Sequence, residues 1–191
     1  MKNLILIYFF FFYLVGNSQN FESKDWVLLE YNHEKHFTVT KEIKKFSIDE
    51  FNFEIIWDEK LSYSSNIGYY GGIKSLKIYK NNQLLNTFEN IEDILALEEI
   101  NFNFYDFNFD GYMDISLPID AGKEIWYQYF LFDKTQNKFI HLNDWDYIRI
   151  QKMNKKTKQI LTQPSGTAID GIQELYQVSG LNLILLKTFE Y

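Results

Sequence analysis

The sequence contains no cysteine among its 191 residues. Disulfide bonds, which stabilise many small exported domains, are therefore excluded, and so is a lipid-modified N-terminal cysteine. Stability has to come from a hydrophobic core, for which 18 Phe, 14 Tyr and 4 Trp supply large apolar side chains. A chain of this size can bury about 70% of its unfolded surface, so a core of this kind is attainable in one domain.

Basic residues are fewer than acidic ones. The chain has 19 Lys and Arg against 26 Asp and Glu, which gives a net charge of −7 at pH 7. A protein with this balance repels phosphate backbones, so nucleic acid is not an expected partner. It attracts divalent cations and basic proteins instead.

The motifs of common enzyme classes are also missing. There is no G-x-S-x-G elbow, no P-loop, no dinucleotide fingerprint and no cysteine nucleophile. Of the three histidines, His33 and His36 are three residues apart without an H-E-x-x-H pattern, which indicates a polar turn rather than a zinc site. We therefore predict a binding protein and not an enzyme; a hydrolase that uses unrecognised carboxylates is the remaining alternative.

No hydrophobic run is long enough for an ordinary transmembrane helix. The apolar run at residues 4–15 has 12 residues, whereas a span needs about 20. Lys2 precedes this run and the small residues Gly16 and Ser18 follow it, which is typical of a secretory signal peptide. We expect residues 1–18 to be removed and residues 19–191 to form a single β domain in the periplasm or outside the cell, without stable membrane insertion. An uncleaved anchor is the alternative. Cleavage removes only Lys2 among the charged residues, so the net charge becomes −8.

The remaining sequence favours strands. Short segments rich in Phe, Tyr, Ile and Val alternate with clusters of Asn, Asp, Gly and Lys, and only two prolines are present. The clearest hairpins are 125–132 with 138–142, and the segment 73–88 with an Asn-Asn turn at 80–83. We predict an all-β fold with at most one short helix, at 91–98, where helix and strand remain open. Further predicted strands are 25–31, 37–40, 52–57, 100–105, 115–118, 147–151, 159–162, 173–178 and 181–188.

Oxygen-bearing side chains occupy alternate positions in the stretch DFNFDGYMD, residues 106–114. This spacing matches the first nine positions of an EF-hand loop, with a glycine, Gly111, at the sixth. Position twelve is Leu117 instead of glutamate and the following ISLPI is predicted to be a strand, so this is not an EF-hand but a shorter calcium loop between strands. The predicted Ca²⁺ ligands are Asp106, Asn108, Asp110, the carbonyl of Tyr112, and Asp114.

A turn without metal is the alternative interpretation of this loop, because Asn-Phe-Asp-Gly is good turn chemistry by itself. Three carboxylates within nine residues repel one another, however, unless a cation neutralises them. With fewer ligands than an EF-hand, we expect weak binding, with a Kd of roughly 10⁻⁴ to 10⁻³ M and a structural role. Phe104, Phe107 and Phe109 alternate with the ligands and are predicted to anchor the loop in the core.

Two loops carry aromatic residues that could contact a partner. SYSSNIGYYGGI places Tyr69 and Tyr70 among glycines, and LNDWDY places Trp145 between two aspartates. Tyrosine and tryptophan are favoured anchors of protein interfaces. Tyr69, Tyr70 and Trp145 are therefore candidate partner contacts, with closure of the sheet ends as the alternative role.

The stretches FYDFNFDGYMDISLP, IWYQYFLFDKTQNKF, KQILTQPSG and QELYQVSGLNLIL resemble a family of exported bacterial proteins whose first characterised branch comes from Xanthomonas. The resemblance covers residues 100–191. It implies an incomplete β-propeller-like arrangement of antiparallel hairpins and a calcium loop at residues 106–114. At least one family member is a periplasmic immunity protein that inhibits a lysozyme-like effector of a type IV secretion system.

This resemblance makes inhibition of a lysozyme-like peptidoglycan hydrolase the most specific functional hypothesis. Such hydrolases are commonly basic, and an acidic protein would approach them with electrostatic assistance. The alternative is a cell-surface or adhesion module that binds glycan or another envelope protein.

Overall fold

The computed structural model of the protein describes residues 20–29, 35–40, 42–91, 99–121, 125–166 and 171–190. Within these ranges the chain forms antiparallel strands, one short 3₁₀ turn and no α-helix, which confirms the all-β prediction. In chain order the elements are β1 (Val27–Leu28), β2 (Lys35–Thr40), β3 (Lys45–Ile48), β4 (Phe51–Asp58), β5 (Tyr63–Ser64), β6 (Gly68–Tyr69), β7 (Gly72–Lys80), β8 (Gln83–Ile91), β9 (Glu99–Tyr105), β10 (Asp114–Ala121), β11 (Ile125–Asp133), β12 (Lys138–His141), the 3₁₀ turn Asn143–Trp145, β13 (Ile150–Asn154), β14 (Gln159–Thr162), β15 (Ser165–Gly166), β16 (Gly171–Ser179) and β17 (Asn182–Glu190).

Three sheets follow one another along the chain. The first sheet has the strand order β3-β4-β7-β8, and the short β5–β6 hairpin extends from it between β4 and β7. The middle sheet has the order β12-β11-β10-β9-β2, and the last sheet has the order β1-β13-β14-β16, with β15 and β17 both paired to β16. Each sheet is thus built on hairpin-connected strands, to which β1 and β2 are added from the N-terminal part of the chain.

The middle sheet contributes to two hydrophobic clusters. Phe130 and Phe132 on one face of β11 belong to a cluster with the first sheet, in which the Phe132 ring lies 5.6 Å from that of Phe51. On the opposite face of β11, Tyr129 and Leu131 belong to a cluster with the last sheet. Side chains alternate between the two faces of a strand, so consecutive residues of β11 fill both cores. Most of the aromatic residues that the structure describes belong to these two clusters.

The predicted hairpins are confirmed. Asn81 and Asn82 form the turn between β7 and β8 with φ of 51° and 64°, the left-handed conformation that a two-residue hairpin turn requires. Residues 134–137 form the turn between β11 and β12. The strand predicted at 147–151 is displaced, because the chain first makes the 3₁₀ turn and Tyr147 has a φ of 64°; β13 begins only at Ile150.

Three predictions fall partly or wholly outside the described residues. The signal peptide at 1–18 lies outside them, and so do residues 92–98, which include most of the possible helix; Ile91 itself ends β8. The predicted strand 25–31 is described to Leu29 and contains the two-residue β1. In the described part of the chain, no helix has the length and apolar character needed to cross a membrane.

Candidate metal centre and interaction surface

Residues 106–113, which we call the acidic loop, connect β9 to β10 at one end of the middle sheet. Phe107 and Phe109 of the loop are buried in the cluster with the last sheet, and Phe104, near the end of β9, is buried in the cluster with the first sheet. The predicted role of these three residues as core anchors is confirmed. Gly111 has a φ of +88°, a conformation that favours glycine, so it allows the chain to reverse at the sixth position of the loop.

The side chains at the first, third and fifth positions turn towards one another. The backbone N–H of Asp110 donates to Oδ1 of Asp106 at 2.9 Å and to Oδ1 of Asn108 at 3.1 Å. The Asn108 amide in turn donates to Oδ2 of Asp110 at 3.2 Å. Oxygens that share one donor must lie close together, so these side chains face the inside of the loop as ligands at these positions would.

Further backbone N–H groups bond to the second oxygens of the Asp106 and Asp110 carboxylates. Gly111 donates to Oδ2 of Asp106 at 3.1 Å, and Tyr112 donates to Oδ1 of Asp110 at 2.9 Å. Asx turns of this kind orient carboxylates without any ion. The loop shape is therefore encoded in its own hydrogen bonds.

Asp114 has a different environment from the other acidic residues. It is completely buried, and its carboxylate accepts three backbone hydrogen bonds: from Phe107 at 2.8 Å, from Asn108 at 3.3 Å and from Phe132 at 2.8 Å. The first two bonds hold the start of the loop, and the third joins it to β11. Asp114 therefore clamps the loop to the middle sheet, a role that requires no metal and that sequence spacing did not reveal.

The loop concentrates negative charge in a partly desolvated place. Burial raises the pKa of Asp114 well above its ordinary value, against the effect of the hydrogen bond from Phe132, and the charges of Asp110 and Asp106 raise it further. Burial also raises the pKa of Asp106. Lys155 forms an ion pair with Asp106, with its Nζ 3.7 Å from Oδ2; its side chain is 80% exposed, so water screens the pair.

The donor set fits a hard cation at three of the five predicted positions. Oxygens of Asp106 and Asn108 converge on the N–H of Asp110, and an oxygen of Asp110 lies 3.2 Å from the Asn108 amide nitrogen. Oxygen ligands are those that Ca²⁺ prefers. No group of three or more Asp, Glu or His side chains is arranged as a metal site among the described residues. Asn108 and the Tyr112 carbonyl are neutral groups, and the Asp114 oxygens are already engaged by the backbone.

The two described histidines, His36 and His141, do not form a metal site with this loop. His36 lies on β2, so the predicted turn at this residue is wrong, and His33 is outside the described residues. His141 on β12 is partly exposed, and its Nε2 lies 2.9 Å from both carboxylate oxygens of Asp146.

An exposed pair of tyrosines lies on the β5–β6 hairpin, which we call the aromatic hairpin (residues 63–69). Tyr63 and Tyr69 face each other across the two strands, with ring centroids 5.1 Å apart, and they are 63% and 60% exposed. Ile67 in the connecting turn is 56% exposed. Tyr69 therefore has the accessibility that a partner contact needs. The sequence did not single out Tyr63 and Ile67, because strands of two residues are too short to show an alternation of apolar and polar positions.

The other two candidate contacts are less accessible. Tyr70 is half-buried, and its backbone N–H donates to the Ser62 carbonyl at 3.0 Å. Trp145 is completely buried, and its indole N–H donates to the Leu181 carbonyl at 2.8 Å. Trp145 is thus a core residue that holds the 3₁₀ turn against the β16–β17 turn, contrary to the prediction that it contacts a partner.

Comparison with known proteins gives no relative: no family model, no curated protein and no solved structure matches the chain. The resemblance of residues 100–191 to an exported bacterial family stays a prediction.

Proposed function

We propose that the protein is an exported calcium-binding β module that binds a protein partner through its aromatic hairpin. The observation that carries this proposal is the Tyr63–Tyr69 pair, two large side chains exposed together on a short hairpin beside a rigid sheet. Exposed tyrosines of this kind bury much apolar area on binding and lose little rotamer freedom.

Calcium is proposed because the acidic loop supplies a partial cage. Asp106, Asn108 and Asp110 would hold the ion through side-chain oxygens, and Tyr112 would contribute its carbonyl. Asp114 would contact the ion through a water molecule or would only hold the loop in place by its hydrogen bonds. The ion would supply positive charge to a site where three carboxylates lie near one another. Its role would be to stabilise the connection between β9 and β10, with no part in chemistry.

Thermal unfolding in Ca²⁺ and in chelator tests the calcium proposal. At a tenfold excess over Kd the ion should stabilise the fold by about 1.4 kcal/mol, which corresponds to a rise in Tm of about 3–5 °C. Asp110→Asn should abolish this rise, whereas the matched control Asp144→Asn, at an exposed position of the 3₁₀ turn, should preserve it. Equal Tm values of the unsubstituted protein in Ca²⁺ and chelator would refute calcium binding.

We further propose that the three sheets form an incomplete propeller-like stack. Each sheet is built on successive antiparallel strands, and the middle sheet shares a hydrophobic cluster with each of the other two. Sheets that follow one another along the chain and pack face to face are the basis of propeller architecture. A crystal structure that shows the relative rotation of the three sheets would test this arrangement.

The proposed partner is a basic, lysozyme-like peptidoglycan hydrolase that the protein inhibits. Two arguments support this target: the resemblance of residues 100–191 to a family with such an inhibitor, and the net charge of −7. Complementary charge raises the rate of association with a basic enzyme. The aromatic hairpin would enter or cover the substrate cleft.

Pull-down and inhibition assays with basic muramidases test this target. The purified protein at micromolar concentration should reduce hydrolysis of peptidoglycan, and Tyr63→Ala with Tyr69→Ala should weaken inhibition at least tenfold, because anchors of this kind contribute about 2 kcal/mol or more. The matched control is Tyr147→Ala, which removes a tyrosine of similar exposure elsewhere. Equal loss in the control would show that the hairpin is not the contact surface.

A second candidate function is a surface module that binds glycan. The observation that favours it is an open groove on the first sheet, lined by polar side chains such as Asn52, by Tyr79, and by Phe46 and Phe53. Binding to glycan without inhibition of hydrolases would favour this function over the first.

A further inference from the structure

The groove on the first sheet has a volume of about 560 Å³, within the range of about 300–1,000 Å³ that is typical of small-molecule sites. It lies on β3, β4 and β7 and reaches the turn between β7 and β8. None of its lining residues belongs to the acidic loop or to the aromatic hairpin. Its polar lining consists of Lys45, Ser47, Asn52, Glu54, Tyr79 and Asn82.

Strand register aligns these side chains in rows. Ser47 is opposite Asn52, and Asn52 is opposite Tyr79, so one row of hydroxyl, amide and phenol crosses three strands. Lys45 is opposite Glu54 in the adjacent row. Directly opposite residues in a sheet have neighbouring side chains on the same face. The register therefore brings an aromatic ring, an amide and an ion pair to one surface.

Hydrogen bonds orient the groups without using all of their capacity. The Ser47 hydroxyl donates to Oδ1 of Asn52 at 2.6 Å, and the Tyr79 hydroxyl donates to Oε2 of Glu54 at 3.3 Å. A primary amide has two donors, and the nitrogen of Asn52 makes no hydrogen bond to protein within the described part of the chain. The Asn82 side chain likewise bonds to no described residue. Both amides can therefore donate to a ligand.

The floor of the groove is rigid. Phe46 and Phe53 belong to β3 and β4, are both buried, and stack with ring centroids 4.6 Å apart. Groups carried on packed strands are held more precisely than groups on loops, which lowers the entropic cost of binding. The polar row is thus presented on a preformed surface.

The charge of the groove selects the class of ligand. Lys45 Nζ lies 3.7 Å from Oε1 of Glu54, so the two charges of the lining cancel, although the whole chain carries −7. The lining itself therefore has no net charge to attract an anion or a cation, and Lys77, opposite Glu54 on β7, lies outside it. Amide donors, a carboxylate acceptor and a half-buried phenol ring suit a ligand that carries many hydroxyl groups on an apolar ring, since sugar hydroxyls bond to the polar groups and ring C–H groups pack on the phenol.

We infer that this groove binds an uncharged oligosaccharide. The inference rests on the second candidate function, and it locates the glycan on the first sheet, away from the hairpin proposed to bind protein. Asn52 and Asn82 donate to sugar hydroxyls, Glu54 accepts from them, and the Tyr79 ring packs against the sugar.

Titration with cellotriose, maltotriose and chitotriose, followed by amide chemical shifts and calorimetry, tests the inference. We expect one of the three to produce saturable shifts in β3, β4 and β7, with a Kd of about 10⁻³ M or below. Asn52→Ala should weaken binding about fivefold, the equivalent of one lost hydrogen bond, and Tyr79→Ala should weaken it more. Tyr147→Ala, which removes an exposed tyrosine outside both the groove and the aromatic hairpin, is the matched control and should leave the affinity unchanged.

Two outcomes would overturn the inference. One is the absence of saturable shifts for all three sugars at about 10 mM, which is ten times the expected upper limit of Kd. The other is binding that Tyr69→Ala removes and Asn52→Ala with Tyr79→Ala leaves intact, which would place the glycan on the hairpin. Hydrolase inhibition is measured separately, so a groove that binds no sugar leaves the protein-binding proposal unaffected.

Discussion

The side chain of Asn86 bonds to both backbone groups of Phe139. Its amide nitrogen donates to the Phe139 carbonyl at 2.9 Å, and its Oδ1 accepts from the Phe139 N–H at 2.8 Å. Asn86 lies on β8 and Phe139 on β12, so this pair joins the edge of the first sheet to the edge of the middle sheet. The Asn86 side chain thus makes the two hydrogen bonds to Phe139 that the backbone of a neighbouring strand would otherwise make.

Asn86→Ala should therefore destabilise the protein by about 1–3 kcal/mol, because two backbone groups of a partly buried strand lose their partners. Urea unfolding measures the change in the free energy of unfolding. Asn66→Ala, in the exposed turn of the aromatic hairpin, is the control and should have little effect. Equal changes in the two variants would show that the Asn86 bonds contribute nothing specific.

Asp114→Asn should destabilise the protein by about 1–3 kcal/mol even in the presence of a chelator. An amide is close in size to the carboxylate, but its NH₂ group would face one or more of the N–H groups of Phe107, Asn108 and Phe132. Asp110→Asn, measured under the same conditions, should change stability less, since Asp110 is exposed. A larger loss of stability for Asp110→Asn than for Asp114→Asn would contradict the role of Asp114 as a clamp.

Gly71→Ala and Gly68→Ala form a matched pair. Both glycines have a φ of +82°, so each alanine pays a backbone cost of about 1–2 kcal/mol. A Cβ at residue 71 would also lie 2.8 Å from the Trp57 ring, whereas a Cβ at residue 68 meets nothing within 4 Å. Thermal unfolding should show a clearly larger loss for Gly71→Ala, and similar losses would contradict close packing of Gly71 on Trp57.

Trp145→Phe should destabilise the protein by about 1–3 kcal/mol, because it removes buried volume and the hydrogen bond to the Leu181 carbonyl. The folded variant should bind partners as the unsubstituted protein does. Trp126→Phe, at a half-buried position, is the control for loss of an indole and should cost less. Loss of partner binding in a fully folded Trp145→Phe variant would show that Trp145 contributes to the contact surface.

Local patterns predicted the local parts of this fold. The Asn81-Asn82 turn and the strands of the β11–β12 hairpin follow from residue preferences within a few positions. Pairing between distant segments did not follow from them: β2 joins β9, although the first sheet lies between them in sequence. Such pairing depends on which apolar faces meet in three dimensions, and one sequence carries no direct record of that.

The candidate sites likewise have features that local sequence predicted and features that depend on distant residues. Alternation of Asp106, Asn108 and Asp110 was sufficient to predict that their side chains face one another. The function of Asp114 as a clamp depends on the Phe132 N–H, 18 residues away, and the burial of Trp145 depends on Leu181. The groove on the first sheet depends on the registers of three strands, and its residues carry no motif.

Because consecutive residues of β11 fill opposite cores, neither hydrophobic cluster can open without exposing a strand that the other one needs. The molecule should consequently lack an independently melting half, and its heat denaturation should be a single cooperative transition in which calorimetric and van't Hoff enthalpies agree. A destabilising substitution in the first or the last sheet would then lower the stability of the whole domain and would not unfold one sheet separately.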